Sequence, residues 1–452
     1  MSMEALPIQN RAEVLDRLKA MGVVGAGGAG FPTHVKVAAD CTTVIVNGAE
    51  CEPLLESDKY LLLHDTDRIL KALDLVVRMN GATRGVLAVK GKYGHIVSRL
   101  KSAVLAYERL EVFELENYYP AGDEHSLVRE ITGVSVPPAG IPIQVGCIVQ
   151  NVETLRNLHE AVFASVPVTS RYLTCTGEVA NPSVVRARVG VTLREVITAC
   201  GGTTLEEYVI LVGGPMMGTI VRDPDIPVTK LTSGIIVLPV DHPLVAVNTQ
   251  PMHWVLKQSK TACCQCTLCT ELCPRFLLGH NLEPHKIMRQ INLGLDIPES
   301  VIKGALLCSE CGVCEVVACP MALSPRLMNR MIKRKLRESG YKADFSGQPA
   351  VARDMWEYRK VPTERVINRL GLSRYDLHPS RFVEDCTAQR VEILLRQHIG
   401  APAEARVRVG DRVKRGELVG DIPNGAMGAR VHASIDGEVI VADSERIIIQ
   451  AR

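Results

Sequence analysis

Three things are scarce in this sequence, and each scarcity removes a class of function. The first is charge imbalance: over 452 residues, 52 Lys and Arg face 50 Asp and Glu, a formal net charge of +2. So even a balance gives no electrostatic case for nucleic acid or an anionic membrane surface as partner. The second is apolar length. No run approaches the ~18 residues that read as a membrane helix, so no integral membrane segment is expected, and any membrane association would be peripheral. The third is a targeting signal. The opening residues MSMEALPIQN lack a basic start, an apolar core and a small-residue cleavage site, which leads to the expectation of a cytoplasmic chain. Charged and apolar fractions are otherwise ordinary for a globular protein, and the length suggests roughly three domains.

Cysteine is the residue in excess, with 15 in the chain. Seven are scattered: Cys41, Cys51, Cys147, Cys175, Cys200, Cys264 and Cys386. The other eight form two tight runs. A reducing compartment keeps such thiols free, so clustering points to metal rather than to disulfides. The run CCQCTLCTELCP places Cys263, Cys266, Cys269 and Cys273 at C-x2-C-x2-C-x3-C, followed by Pro274. This is the bacterial ferredoxin spacing, in which three cysteines on one tight loop cap a face of a cubane and the fourth serves a second cluster. The run CSECGVCEVVACP repeats the pattern with Cys308, Cys311, Cys314 and Cys319, then Pro320, its last gap four residues instead of three. The two runs predict two [4Fe–4S] clusters with crossed ligation: Cys263, Cys266, Cys269 and Cys319 on one, Cys308, Cys311, Cys314 and Cys273 on the other. Paired zinc sites are the competing reading, but zinc ligands come in pairs separated by a longer loop. Cys264 adjoins a ligand and reads as a spectator.

The stretch GVVGAGGAGFPTHVK, Gly22 to Lys36, satisfies G-x-G-x-x-G with Gly25, Gly27 and Gly30. A dinucleotide-binding Rossmann loop follows a strand and opens a helix. Here Val14, Leu15, Leu18 and Met21 recur at helical spacing before the loop, Gly22 suits a helix C-cap, and Pro32 follows. The Rossmann context is absent. Five glycines in nine residues nevertheless let a backbone approach a flat ring or a phosphate and aim N–H groups at it, with Lys36 within reach of a phosphate. A mobile surface loop is the competing reading. The strand-like TTVIVN then runs into GAECEP, so Glu50 and Glu52 fall at a strand's C-terminal end, where open α/β sheets bind ligands.

The segments GAGGAGFPTHVK, NGAECEP, YPAGDEHSL and QNVETLRNLHEAV, in that order across residues 22–163, resemble the FMN- and NADH-binding segments of two families. One is the flavoprotein subunit of respiratory NADH dehydrogenases; the other, closer, is the C subunit of the Rnf electron-transport complex. The resemblance implies that Gly25, Gly27, Gly28 and Lys36 cradle FMN. It implies that Asn47, Glu50 and Glu52 form an acidic turn beside flavin and nicotinamide, and that Tyr119, Gly122, Asp123 and Glu124 form a second acidic loop. Asn151 and Thr154 would close over the FMN phosphate, and Phe31 would stack on NADH. The respiratory pattern has an acid where this chain has Ala49. No general acid or base is implied, because hydride transfer to a flavin needs none; flavin chemistry also bridges a two-electron donor and one-electron clusters.

The remaining segments complete the expected fold class, a multidomain α/β chain. Residues 1–165 form the FMN/NADH-binding domain. Residues 166–248 resemble the β-grasp SLBB domain, read either as a corrinoid binder or, with more weight, as a brace between flavin and clusters. Residues 249–345 form a helical, ferredoxin-like two-[4Fe–4S] module. Its segment SPRLMNRMIKRKLRESG places Leu327, Met328, Met331, Ile332 and Leu336 on one helical face and Arg330, Lys333, Arg334, Lys335 and Arg337 on the other. The basic face reads as solvated, with docking of an acidic partner the alternative. Residues 346–389 are expected to be a polar linker, and residues 390–452 resemble a barrel-sandwich hybrid. No lysine lies between Gly416 and Gly437, which excludes a carrier's swinging arm.

The sandwich lies at the C-terminus here and at the N-terminus of the Rnf subunit. The order found here, together with SECGVCEVVACP, LGLS near residue 370 and GARVHASIDGEV, resembles the cobalamin reductase family of propanediol-utilising bacterial microcompartments. That resemblance implies an NADH-oxidising iron–sulfur flavoprotein that reduces a corrinoid inside a microcompartment, with NADH as substrate and a shell protein and an adenosyltransferase as partners. The pattern D-x-H-x-x-G of corrinoid-holding domains is absent, so cobalamin is expected as a transient substrate. The alternative is an electron-transfer adapter, or an Rnf-like NADH:acceptor subunit of a glycyl-radical microcompartment, without cobalamin.

Overall fold

The computed structural model describes residues 10–345, 347 and 350–452. The first nine residues of the flavin domain and positions 346, 348 and 349 of the expected linker lie outside the described residues. Helix α1 (Arg11–Ala20) starts at Asn10, whose side chain accepts from the Ala12 amide, and buries Val14 and Leu18. Gly22 turns the chain out of it at φ +65, and a Cβ there would meet the Arg430 carbonyl at 2.3 Å. The glycine loop therefore follows a helix and leads into the single turn α2 (Thr33–Lys36).

Strands β1 (Thr43–Gly48), β2 (Arg84–Lys90), β3 (Leu110–Leu115), β4 (Tyr118–Tyr119) and β5 (Cys147–Asn151) follow, and all but β4 build one sheet of order β3-β2-β1-β5. Every pairing in that sheet is parallel. Val44, Ile45 and Val46 of the central β1 are all buried, as a parallel strand covered on both faces requires. The covering helices include α3 (Ser57–His64), α4 (Thr66–Met79), α5 (Gly94–Val104), α6 (Glu124–Thr132) and α7 (Val152–Phe163). In α4, Ile69, Leu73, Val76 and Val77 lie on the buried face, the 3.6-residue periodicity of a helix packed on a sheet.

The next unit is a mixed sheet around one helix, a β-grasp arrangement: β6 (Ser170–Gly177), β7 (Ser183–Arg188), α8 (Leu193–Ala199), β8 (Tyr208–Val212), β9 (Thr219–Val221) and β10 (Gly234–Pro239). Helices α9 (Pro243–Thr249), α10 (Met252–Ala262), α11 (Leu268–Glu271), α12 (Pro274–Leu277), α13 (Pro284–Leu293), α14 (Glu299–Gly304) and α15 (Pro325–Glu338) make the cysteine-bearing module. Helix α15 buries Met328 and Ile332 and turns Arg330 and Arg334 to solvent. Among the described residues, no helix is long and apolar enough to cross a membrane.

The stretch expected to be a linker is built into the other units. Strand β11 (Val361–Pro362) pairs with β4, α16 (Thr363–Arg369) follows, and β12 (Phe382–Cys386) runs parallel to β7 as the sixth strand of the β-grasp sheet. Lys360 lies in ion-pair range of Glu116, Glu130 and Glu357. Such short elements carry no periodicity of their own; their strand partners lie 198 or more residues away in sequence, as when Val361 faces Tyr119. The C-terminal sandwich comprises β13 (Arg390–Leu394), β14 (Glu404–Ala405), β15 (Arg412–Val413), β16 (Leu418–Asp421), β17 (Val431–His432), β18 (Gly437–Ala442) and β19 (Arg446–Gln450). Its two sheets have orders β13-β19-β18-β15 and β14-β16-β17. Val391, Ile393, Val419 and Ile449 share one apolar cluster with Leu173, Val185 and Ile235 of the β-grasp sheet.

Candidate flavin cavity and cysteine centres

At the C-terminal end of β1 the chain leaves the sheet through Ala49–Pro53, and a cavity of about 220 Å³ opens there. The sequence-derived residues Gly27, Asn47, Glu50, Glu52, Tyr119, Gly122, Asp123 and Asn151 line it. Gly25, Gly28, Phe31, Lys36, Glu124 and Thr154 do not. Thr154 closes the glycine loop from behind, its hydroxyl accepting from the Ala26 amide at 2.9 Å, while the Phe31 carbonyl accepts from the Gly25 amide at 2.9 Å. Lys36 is paired with Glu124 at 2.8 Å, so the cation and the acid expected to serve FMN and NADH hold each other. Gly28, at φ +107, faces open space.

Around the cavity, short polar contacts fix the walls. Asn47 donates to the Gly122 carbonyl at 2.8 Å, and a Cβ on Gly122 would come within 3.0 Å of Asn47 Oδ1 and Cys51 Sγ, so the two acidic loops touch only because that residue is glycine. Glu50 accepts from the amides of Asp58 and Lys59, each at 3.0 Å, and so caps α3 from inside the cavity. Asn151 caps α7 through the Glu153 amide and donates to Asp58 Oδ2 at 2.7 Å.

The carboxyl groups here are starved of solvent. Burial raises the pKa of Glu50 against the pull of Lys59. Burial and then the charge of Glu50 raise Asp58 well above the usual carboxylate range. Burial lifts Glu52 to about 7, although the Met216 amide and Arg326 oppose it. One oxygen of Glu52 accepts from the Met216 amide at 2.8 Å; the other, Oε1, is buried without a partner. An unsatisfied acceptor on a cavity wall is what a bound donor group would complete, and with the amides of the glycine loop it fits a polar planar ligand.

Sequence reasoning missed Asp58, Cys51 and Arg171. Asp58 lies in the first turn after the acidic strand end, a local cue. Cys51 Sγ accepts from the Gly122 amide at 2.7 Å. Arg171, on β6, had no local cue. It donates to the Ala26 carbonyl and to the Thr232 carbonyl at 2.9 Å each, and to Glu153 at 2.5 Å. It ties the glycine loop, α7 and the β-grasp sheet together. The loop is also held at its ends: Lys230 Nζ donates to the Gly22 and Arg430 carbonyls at 2.8 Å each, and the Ile399 amide donates to the Gly30 carbonyl at 3.1 Å.

The cysteines divide between two smaller cavities. Cys273, Cys308, Cys311 and Cys314 line one; Cys263, Cys266, Cys269 and Cys319 line the other, with Cys264 beside them. Among the described residues, no three His, Cys, Asp or Glu come together as they would around a single metal ion. Four thiols spread around a cavity suit a cluster, whose own bulk separates its ligands, better than they suit zinc. Cys311 belongs to the first set and also lines the cavity at the strand end, and Tyr119 donates to its carbonyl at 2.7 Å. Arg275, two residues beyond Cys273, pairs with Asp123 at 2.9 Å. The second set lies outward: Cys264 and Cys266 are exposed, and so is Met321.

Four family models match the chain: a Nuo51 FMN-binding domain over residues 18–160, an SLBB domain over 172–220, a 4Fe–4S dicluster domain over 262–324 and an RnfC barrel-sandwich hybrid domain over 382–451. The cofactor set is therefore FMN and two [4Fe–4S] clusters. The chain is 44% identical over 440 residues to the cobalamin reductase PduS of Salmonella typhimurium, covering 97% of this chain and 96% of that protein. It is 43% identical to the cobalamin reductase PduS of Citrobacter freundii, covering 96% of both. The C subunit of the Na(+)-translocating ferredoxin:NAD(+) oxidoreductase complex of Acetobacterium woodii is 36% identical over 278 residues, 59% of this chain and 60% of that protein.

Proposed function

Since the chain belongs to the family of the PduS cobalamin reductases, we propose that it oxidises NADH and delivers the electrons one at a time to a corrinoid, from the cob(III) toward the cob(I) state. Bound FMN would supply the conversion between a two-electron hydride donor and one-electron iron–sulfur clusters. Gly27, Gly28, Asn47, Gly122 and Asn151 are the residues for the flavin, with Gly25, Thr154 and Arg171 fixing the loop behind them. Glu52 and Glu50 face the nicotinamide side. Phe31, Lys36 and Glu124, which do not line the cavity, are the residues for NADH rather than for the flavin ring. Cys273, Cys308, Cys311 and Cys314 hold the inner cluster; Cys263, Cys266, Cys269 and Cys319 hold the outer one.

A single observation carries this reading: Cys311 lines both the inner cysteine cavity and the flavin cavity. A cluster ligand in the flavin wall removes any need for a separate electron carrier between them. The outer set then reaches the surface at Cys266, where an acceptor can approach. The setting proposed is a bacterial microcompartment, with a shell protein and an adenosyltransferase as neighbours. The test is spectral. Anaerobic, reconstituted protein is mixed with NADH, and flavin and cluster absorbance are followed before and after hydroxocobalamin or a ferredoxin is added. Bleaching by NADH, reversed by hydroxocobalamin, is the expected result. No bleaching would sink the NADH reaction, and reoxidation by ferredoxin alone would sink the corrinoid as acceptor.

A further inference from the structure

A second cavity, of about 460 Å³, opens on the other side of α3 from the flavin site. Its volume falls within the range of about 300–1,000 Å³ typical of small-molecule sites. It forms where residues 378–380 pack onto the flavin domain, and these belong to the stretch between the dicluster match, which ends at 324, and the sandwich match, which begins at 382. It shares no lining residue with the flavin cavity or the two cysteine cavities.

Three features of its walls converge on one ligand chemistry. The first is a column of rings. His64 stacks on Tyr60 with centroids 4.3 Å apart, and Tyr60 stacks on Phe382 at 4.5 Å. His64 is exposed and lines the cavity, so the column ends in an open imidazole face, onto which a planar heterocycle would extend it. The second is positive charge. Lys59 and Lys92 both lie over the Tyr93 ring, at 4.6 and 5.2 Å from its centroid, and His95 and His378 add two more imidazoles to the lining. The third is the start of α5. Tyr93, which precedes it, supplies no side-chain cap; its carbonyl accepts from the Ile96 and Val97 amides, so those of Gly94 and His95, at the head of an 11-residue helix, are left for an outside acceptor, the arrangement that favours phosphate.

The acids present offset Lys59, which faces Glu56 and Glu50, and leave Lys92 as the available cation. Glu56 is taken up by Lys59 at 2.5 Å and by His378 Nδ1 at 2.7 Å. Asp376 lies 3.6 Å from His378 Nε2, and Glu364 lies 3.2 Å from Lys92 Nζ, an exposed pair of the kind that contributes about 0–1 kcal/mol and yields readily to a phosphate.

We infer that this cavity is a second ligand site, for a nucleoside phosphate: the base stacks on His64 at the end of the ring column, and the phosphate lies between Lys92, His95 and the first amides of α5. The occupant is a free nucleotide, bound independently of the NADH held at the flavin site, and the experiment separates the two.

Holoprotein with FMN and both clusters is titrated calorimetrically with ADP, AMP, adenosine, inorganic phosphate and NADH, in the wild type and in the His64→Ala, Lys92→Ala and Glu52→Gln variants. The expected result is ADP binding that weakens about tenfold or more, at about 1.4 kcal/mol per decade, in His64→Ala and in Lys92→Ala, and stays unchanged in Glu52→Gln and at saturating NADH. Adenosine and phosphate should each bind more weakly than ADP. His64 and Lys92 are both exposed, so neither variant removes a core residue, and retained FMN absorbance verifies the fold. Three outcomes would each overturn the inference: no ADP binding at millimolar concentration, equal affinity for ADP and inorganic phosphate, or competition between ADP and NADH. None of these measures electron transfer, so failure of the site is distinguishable from failure of the NADH reaction.

Discussion

Lys230 provides a direct test of how the outer domains hold the glycine loop. It is 3 % exposed, and its Nζ donates to two carbonyls, Gly22 and Arg430. Burial alone lowers its pKa to about 7, against about 10.4 for an unfolded chain. The unfolded state therefore binds more protons than the folded one between pH 7 and about 10.4, and stability rises with pH across that window. A difference of about 3.4 units, at about 1.36 kcal/mol each, makes about 4–5 kcal/mol of stability that is missing at pH 7 and below. Lys230→Met keeps the apolar stem and removes the titration. It also leaves two carbonyls without this donor, a cost of about 1–3 kcal/mol each that does not depend on pH. The variant should thus melt below the wild type at pH 9.5, draw level as the pH falls, and melt at or above it at pH 6. Thermal unfolding of anaerobic holoprotein across that range, with released FMN fluorescence recorded in parallel, provides the measurement. Parallel melting curves for the two proteins at all pH values would refute the reasoning, because they would mean that Lys230 keeps its proton in the fold.

Further outcomes follow from single contacts. Arg171→Met leaves the Glu153 carboxylate buried without its ion-pair partner, a loss of about 3–5 kcal/mol; FMN should dissociate on gel filtration while iron content is kept. Cys311→Ser should lower bound iron by about half, the share of one cubane of two, and stop NADH from reducing the remaining cluster within mixing time, whereas Cys264→Ser should leave iron content and both cluster spectra as they are. Glu52→Gln should flatten the pH dependence of stability between about pH 4.3, the unfolded value, and 7, the folded value: an acid whose folded pKa is raised stabilises the fold below that window and loses the contribution as the pH climbs through it. Pronounced slopes that persist in the variant would assign that window to another group.

What could be read from the sequence was what is encoded locally. The repeat of Val14 and Leu18 identifies α1, the apolar run of β1 identifies a buried parallel strand, and the gaps between cysteines separate two ferredoxin-like runs. Each signal lies within about ten residues, the range over which periodicity and spacing act. Contacts between distant segments left no such trace. Arg171 lies 145 residues from the Ala26 carbonyl it holds, and Lys230 lies 208 residues from Gly22. Cysteine spacing divides ligands between clusters but does not say which set faces the flavin; that depends on Tyr119, on a two-residue strand, reaching the Cys311 carbonyl. Lys36 shows the opposite problem. Its spacing from the loop suits a phosphate, and only the fold brings Glu124, 88 residues on, to its ammonium group.

The position of the sandwich at the end of the chain has a physical consequence for the flavin site. In the fold, the last domain touches the first loop: the Ile399 amide bonds Gly30, and a Cβ on Gly30 would come within 3.1 Å of the His398 backbone. At the other end of the loop, Arg430 shares Lys230 with Gly22. The glycine loop is thus clamped at its Gly30 end by the last domain and at its Gly22 end through Lys230, which that domain's Arg430 shares, and β12 fills an edge of the β-grasp sheet that would otherwise remain open. A glycine-rich loop has much conformational entropy to lose on ordering, and clamping its ends removes that loss from the binding step, so the flavin meets a loop already shaped. Pre-organisation of this kind raises affinity without adding a contact to the ligand, and it makes flavin retention depend on the integrity of a domain that does not touch the flavin.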